Sequence, residues 1–345
     1  MRNDTRKKLN QYAARVATLS GAETAFTSFD IDPSVQQTLE TKIQESSEFL
    51  SRINMVGVRD LVGQKLGLTI TGPIAARTDV DQRDRNPIDP TGLEKHDYEC
   101  KSTEFDTAIK WAKLDQWAKF PDFQARVRDA ILRQQALDRI MVGFNGTHAA
   151  KQTDRTKYPL LQDLNVGWLQ QYRNNAPARV FSDAADVTIG KGREYQNLDA
   201  LVFDAVSSLI DPWYQDSTDL VALVGRRLMT DKYLPMVNRW EQPTESQALD
   251  VIMSQKRIGG LNAMQVPFVP DGAIFITSLD NLAIYWQEGS RRRYLKDKPE
   301  RKAVQNFESS NEAYVIEDYG FGCLIENITH SDVPEAETAD SSTGA

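Results

Sequence analysis

The chain has 345 residues, with 41 Lys+Arg against 49 Asp+Glu for a formal net charge of −8, and is 40% hydrophobic and 26% charged. These proportions are ordinary for globular proteins, so global disorder is excluded and one or two folded domains are expected. No apolar run is long enough to cross a bilayer and the first twenty or so residues are too polar for a signal peptide, so neither a membrane span nor conventional secretion is expected. Cys100 and Cys323 are the only cysteines and sit in no CxxC pair, too few for a disulfide framework or a cysteine-based zinc site. A reducing cytoplasm is the natural compartment. The acidic balance argues against nucleic acid as the main ligand, because neutralising phosphates takes a surplus of Lys and Arg on one face.

Leu9, Tyr12, Ala13, Val16 and Leu19 fall at helical spacing and Gly21 follows as a stop, which predicts a short amphipathic helix over 4–20. A small-residue link over 21–30 leads to a second helix, with Asp32 as N-cap, Pro33 at the first position, and Val35, Leu39, Ile43, Leu50 and Ile53 on one side. Neither stripe is wide enough to fold alone, so both helices must pack on something else. From Val56 to Trp111 the period changes to two, with Leu66, Leu68 and Ile70, then Phe105, Thr107, Ile109 and Trp111. About twenty polar residues separate these runs, too many for a normal hairpin turn, and predict an extended hairpin with an exposed tip.

Pro121 and Asp122 open the strongest helix, with Phe123, Val127, Ala130, Ile131, Leu137, Met141 and Phe144 as its apolar face. Arg126, Arg128, Arg133 and Arg139 are expected on the opposite face. At 1.5 Å per residue this is a rod of about 35 Å. A mixed pattern follows: helix over 198–210, strand over 220–224, helix over 225–237, strand over 273–277 and a short helix over 279–285. The charged run 291–308 and two short β runs, 313–317 and 323–328, precede an acidic tail of disordered composition at 331–345.

Catalytic signatures fail one by one. There is no GxSxG, Gly190-Lys191-Gly192 lacks the spacing and preceding strand of a phosphate loop, and Gly320-Phe321-Gly322 precedes a strand rather than a helix. His96, His148 and His330 are far apart, and the carboxylate pairs lie in polar stretches where solvated charge is the expected state. No enzyme activity, cofactor or metal is expected. Arg291, Arg292, Arg293 and Lys296 lie in the densest basic run, 290–302, and are the candidates for contact with DNA or a neighbouring subunit. Asp297 and Glu300 interrupt it, so pairing with carboxylates is the stronger expectation. Trp111 and Trp117, with Leu114 between them, are expected in a core rather than as base-stacking platforms. Without a convergent catalytic set, and with an exposed hairpin and unattached helices, the chain reads as a building block.

Five ordered segments, 33–54 (PSVQQTLETKIQESSEFLSRIN), 123–146 (FQARVRDAILRQQALDRIMVGFNG), 161–180, 211–233 and 254–270, carry a resemblance to the major capsid proteins of the P2-like contractile-tailed bacteriophages, the peduoviruses. The resemblance implies an α+β, HK97-like capsid fold: an N-arm over 30–60, an extended loop over 61–112, a peripheral domain over 113–185 and 288–330 with a spine helix over 121–145, and an axial mixed α/β domain over 186–287. It implies self-assembly of hexamers and pentamers into an icosahedral shell around double-stranded DNA, held non-specifically, with a portal protein at one vertex and no membrane. It further implies procapsid assembly in the host bacterial cytoplasm on an internal scaffolding protein that is also a protease, before the chain resides in the virion capsid. In such relatives the N-terminal segment is trimmed. Here residues 1–29 match it, with Phe29 and Asp30 at the boundary, and the loop tip over 77–95 and the N-arm are expected to meet neighbouring subunits. The alternative from another class is a nucleic-acid-binding protein using the basic run at 291–302.

Overall fold

The computed structural model describes residues 1–20, 22–70, 91–120, 122–182, 187–190, 192–237 and 256–330, with isolated positions between 75 and 85. Residues 80, 81, 83 and 86–90 of the expected loop tip lie outside these residues, as does the whole acidic tail. In chain order the elements are α1 (Asn3–Leu19), β1 (Phe29–Asp30), α2 (Pro33–Glu45), β2 (Asn54–Val58), β3 (Val62–Ile70), β4 (Thr91–Glu99), β5 (Lys101–Glu104), β6 (Thr107–Lys110), α3 (Trp111–Trp117) and α4 (Phe123–Asn145). Then follow α5 (Trp168–Asn175), β7 (Val180–Phe181), β8 (Val187–Ile189), α6 (Leu198–Leu209), β9 (Leu220–Val224), α7 (Arg226–Val237), β10 (Arg257–Ile258), β11 (Leu261–Gln265) and β12 (Ile274–Ser278). The chain closes with β13 (Leu282–Gln287), β14 (Arg292–Lys298), β15 (Ala303–Ile316), β16 (Gly322–Ile325) and β17 (Ile328–His330). The described residues form two compact units: those of Met1–Gln171 with Leu279–Tyr319, and those of Tyr172–Ser278 with Gly320–Ala345.

The first unit is built on β15, which carries partner strands on both edges. One edge pairs with β6 and β5, and the other with β14 and β13. β13 and β14 run the same way along that second edge, yet Trp286 sits opposite Glu312 and Arg292 opposite Ser309. Residues 287–291 therefore face only 310–311, a wide bulge that frees Arg291 to turn into the interior. Gly289, at φ 71°, makes the left-handed corner that a side chain would strain. β2 extends the sheet in parallel beside β13, and β1 adds two residues at its far end beside β14.

The expected extended hairpin is present: β3 and β4 pair antiparallel from Val62↔Glu99 to Ile70↔Thr91. Its root is tied down where the Lys65 ammonium donates to the Ile316 carbonyl and lies 3.6 Å from Glu317. α4 packs its C-terminal half through Phe144 against Phe49 and Trp168, an aromatic cluster in which Trp168 meets Phe49, Phe144 and Tyr314 edge to face. The Trp168 indole N–H, fully buried, donates to the Ala283 carbonyl at 3.1 Å. Trp111 and Trp117 pack against a smaller core formed by Leu9, Tyr12, Val16, Leu114, Val127, Ile131, Leu295 and Val304, as the core expectation holds.

The second unit is a sheet in the order β10-β11-β9-β12-β16-β7 with α6 and α7. Its core gathers Leu201, Val202 and Ala205 of α6, Leu228 and Met229 of α7, and Ala222, Val224, Ile274, Ile276, Cys323 and Ile325 of the sheet. β16 pairs with β12 here, in the second unit; the resemblance implies that 323–328 returns with 313–317 to the peripheral domain. The stretch 279–285 also departs from its expected helix, forming one 3-10 turn and then β13. Leu282, Ala283 and Ile284 are all completely buried, and a strand covered on both faces reads as a continuous apolar run that periodicity cannot tell from a buried helix.

Candidate assembly site

α2 begins where Asp32 accepts a hydrogen bond from the Ser34 N–H at 2.9 Å, with Pro33 in the first turn. Its buried residues are Gln36, Glu40 and Ile43, whereas Val35 and Leu39, expected as the packing stripe, are only half-buried. The helix is therefore rotated toward a polar contact. The Gln36 amide donates to the Gln287 carbonyl at 3.1 Å and accepts from the Gly289 N–H at 2.9 Å, so it reads the backbone of the bulge directly.

One turn further on, Glu40 enters a closed cluster of charges. One carboxylate oxygen accepts from Arg139 of α4 at 2.6 Å and the other pairs with Arg291 from the bulge. Arg139 also forks onto Glu312, and Arg291 onto Glu308, both on β15. The five side chains are between 0% and 4% exposed. Remaining lone pairs are filled by Gln135, Ser310 and Asn306: the Gln135 amide donates to Glu308 at 3.2 Å and accepts from Arg291 at 2.9 Å, and the Ser310 hydroxyl donates to Glu312 at 2.6 Å. Two guanidiniums face three carboxylates, and Arg293, half-buried beside Glu308, supplies the third positive charge.

Burial alone would raise the Glu308 carboxyl, but Arg291 and Arg293 outweigh it and hold it down at about 2. Glu40 is also pushed below its ordinary value, because Arg139 and Arg291 together overcome the cost of burial. The Arg139 guanidinium, disfavoured by burial, is held charged by Glu312 and Glu40. Glu40, Glu308, Arg139 and Arg291 are thus charged near neutrality, and the cluster joins α2, α4, the bulge and β15.

The sequence-predicted basic residues separate in this setting. Arg291 is completely buried, so its expected role at DNA or a subunit boundary is corrected: every one of its contacts is spent inside the chain. Arg293 donates to the Tyr12 hydroxyl at 2.9 Å and to Asn306 at 2.9 Å. Arg292 and Lys296 face solvent, Arg292 lying 3.2 Å from Asp30. That places two predicted groups side by side, since Phe29 and Asp30 form β1 and pair with Arg293 and Arg292. Immediately beyond them, the Ile31 N–H donates to the Arg291 carbonyl at 2.9 Å. Arg139 is a second correction: expected on the solvent face of α4, it lies on the buried stripe one turn after Gln135, while Ala130 is exposed. Among the described residues no group of His, Cys, Asp or Glu could hold a metal ion, and no helix is long and apolar enough to cross a membrane.

Residues 8–328 match the family described as phage major capsid protein, P2 family. The chain belongs to that family. It is 47% identical to the capsid protein of Escherichia phage P2, with both chains covered completely, and 40% identical to the major capsid protein of Serratia phage KSP20, over 95% of this chain and 98% of that one. Among solved structures it is similar to a chain of the satellite phage P4 procapsid that includes the size determination (Sid) protein, with a TM-score of 0.80, 46% identity, and 96% and 99% of the two chains covered. A capsid chain of an empty GTA particle shares the fold at 12% identity, with a TM-score of 0.51 over 82% of this chain and 90% of that one. This capsid protein has the α+β, HK97-like fold and assembles with its own copies into the phage shell. Its family role is structural, and its charge cluster sits where α2 and α4 meet the sheet.

Proposed function

We propose that this capsid protein builds hexamers and pentamers of a DNA-filled icosahedral shell on an internal scaffolding protease, with a portal protein at one vertex, and that residues 1–29 are cut away during maturation. Full-length likeness to the phage P2 capsid protein carries this reading. The arrangement of the N-terminus supports the boundary at Phe29 and Asp30. Upstream, α1 packs on a small core that it shares with α3, α4, β14 and β15; downstream, the chain is held by Arg291 through backbone at Ile31 and side chain at Glu40. Cutting between them would separate a removable segment from a fastened arm. Packaged DNA is then held non-specifically, by exposed cations such as Arg292 and Lys296 and not by the buried arginines. On this reading assembly takes place in the host bacterial cytoplasm, and no catalysis is assigned to the chain. On this reading the first compact unit holds the N-arm, the extended loop and most of the peripheral domain, and the second holds most of the axial domain together with 172–185 and 320–330.

Co-expression with the scaffolding protease, followed by electron microscopy and intact mass, tests it. Closed shells whose subunits begin at or beside Asp30 are expected. Shells whose mature chains still begin at Met1 or Arg2 would refute the trimming, and a persistent small oligomer would refute scaffold-directed assembly.

A further inference from the structure

The charge of this chain is unevenly placed. Its first twenty residues hold five basic side chains and one acidic one, although the whole chain carries −8. Residues 331–345 hold Asp332, Glu335, Glu337 and Asp340 and no basic residue. The two ends are therefore of opposite sign and similar size.

The basic end is ordered and has a cleft beside it. α1 buries Leu9, Tyr12, Ala13, Val16 and Ala17, and leaves Arg2, Arg6, Lys7 and Arg15 exposed. Some of this charge is answered locally: Arg6 lies 3.6 Å from Asp297, and Arg128 of α4 pairs with Asp129 at 2.7 Å. Among the described residues, Lys7 and Arg15 make no ion pair. Between α1, α2 and α4 opens a cavity of about 170 Å³ with an apolar floor of Val16, Ile31, Val35, Leu39 and Ala125, and with Arg15 and Arg128 exposed at its edge. The half-buried Val35 and Leu39 are the residues that α2 turned away from the core when Gln36 and Glu40 took the inner positions.

We propose that this cleft receives the acidic tail, residues 331–345, of a second copy of the chain. Charge complementarity is the first argument, and the cations at the cleft edge supply it. The second is reach: fifteen residues extend at most about 50 Å, enough to leave one subunit and cross onto the next. The third is the tail's own pattern. Val333 and Pro334 are its bulkiest apolar residues and precede most of its acids, and proline enters an apolar floor without burying an N–H. Exposed ion pairs are individually weak and are screened within about 8–10 Å in ordinary salt, so each docking is reversible. A shell of many copies repeats the contact until it matters. If residues 1–29 are later removed, the contact belongs to the assembling shell alone; that timing rests on the trimming proposed above, whereas the docking does not.

The test uses full-length chain whose own tail is neutralised by Asp332→Asn, Glu335→Gln, Glu337→Gln and Asp340→Asn. A fluorescein-labelled peptide of residues 331–345 is titrated onto it and followed by anisotropy. Saturable binding is expected, weakened about tenfold or more in high salt and by Arg15→Glu with Arg128→Glu. Equal binding of a scrambled peptide, indifference to the two arginines, or tighter binding of a DNA duplex that displaces the peptide would each overturn the proposal, the last by making the cleft a DNA surface. Should the arginine variant fail to fold, carbodiimide cross-linking of mixed isotopically heavy and light wild-type chains decides the matter. Links from Lys7 to tail carboxylates between heavy and light chains are expected, and links confined to one isotope would overturn a partner in trans.

Discussion

Glu40 shares its two oxygens between guanidiniums from different parts of the chain, and neither Gln36 nor Gln44, one turn to either side, could replace its charge. A buried ion pair adds little over apolar packing, but breaking one leaves a stranded charge and costs about 3–5 kcal/mol. Glu40→Gln should therefore lower the free energy of unfolding by about that amount in urea titrations, far more than Lys42→Gln, whose pair with Glu45 is exposed. The loss should appear first as faster amide exchange in α2, because only the arm loses its anchor. The pH dependence follows from Glu308. Its folded carboxyl is depressed from the ordinary 4.5 to about 2, so its contribution is complete above 4.5 and is lost as pH falls from there toward 2. Thermal unfolding should be nearly flat from neutrality to about pH 5 and should drop steeply below 4.5; Glu308→Gln should flatten that acid limb. None of these five charges was legible as a core residue. Arg139 stands at helical spacing from Ile131 and Gln135, but an arginine reads as solvent-facing until its carboxylates are known, and those come from positions 40 and 312. The available signal was the break in the stripe: Gln135 and Arg139 occupy positions that continue from Val127 and Ile131.

The elements themselves were largely legible where local pattern decides them. α1, α2 and α4 followed from spacing and caps, and the β3–β4 hairpin from alternation and its long polar interruption. The bulge at 287–291 and the strand character of 282–287 were not, because both depend on β15, which lies later in the sequence. The rotation of α2 was missed for the same reason, since Gln36 answers a bulge more than 250 positions away. Close approach between α4 and α5 gives a sharper test of this packing. A methyl group added at Gly143 would lie 2.2 Å from the Trp168 ring, which is locked by Phe49, Phe144 and Tyr314 and by its hydrogen bond to Ala283. Gly143→Ala raises helix propensity by about 1 kcal/mol at an exposed site, yet here overpacking of roughly 1–3 kcal/mol should exceed it. Lower thermal stability with reduced near-ultraviolet dichroism is expected; unchanged melting would mean that the indole can move aside.

At the scale of the whole molecule, a shell of identical chains needs some parts that hold one shape and others that meet neighbours at differing angles. The charge cluster belongs to the first kind. It ties arm, long helix and sheet with charge-assisted bonds, which are directional and tolerate little sliding. We propose that the β3–β4 hairpin belongs to the second. Nine residue pairs carry it about 27 Å from its root at Val62 and Glu99, and a two-stranded ribbon of that length has too little core to stand alone. It therefore gains most by lying on another subunit. Deleting residues 80–90 leaves β3, β4 and the anchored root intact, so the purified chain should keep its melting temperature and its sedimentation as a folded species. Co-expressed with scaffold, the same variant should give open sheets or small oligomers in place of closed particles. Normal shells from it would show that the tip makes no contact that closure requires, and would shift the angular adjustment between subunits onto the link between α1 and α2.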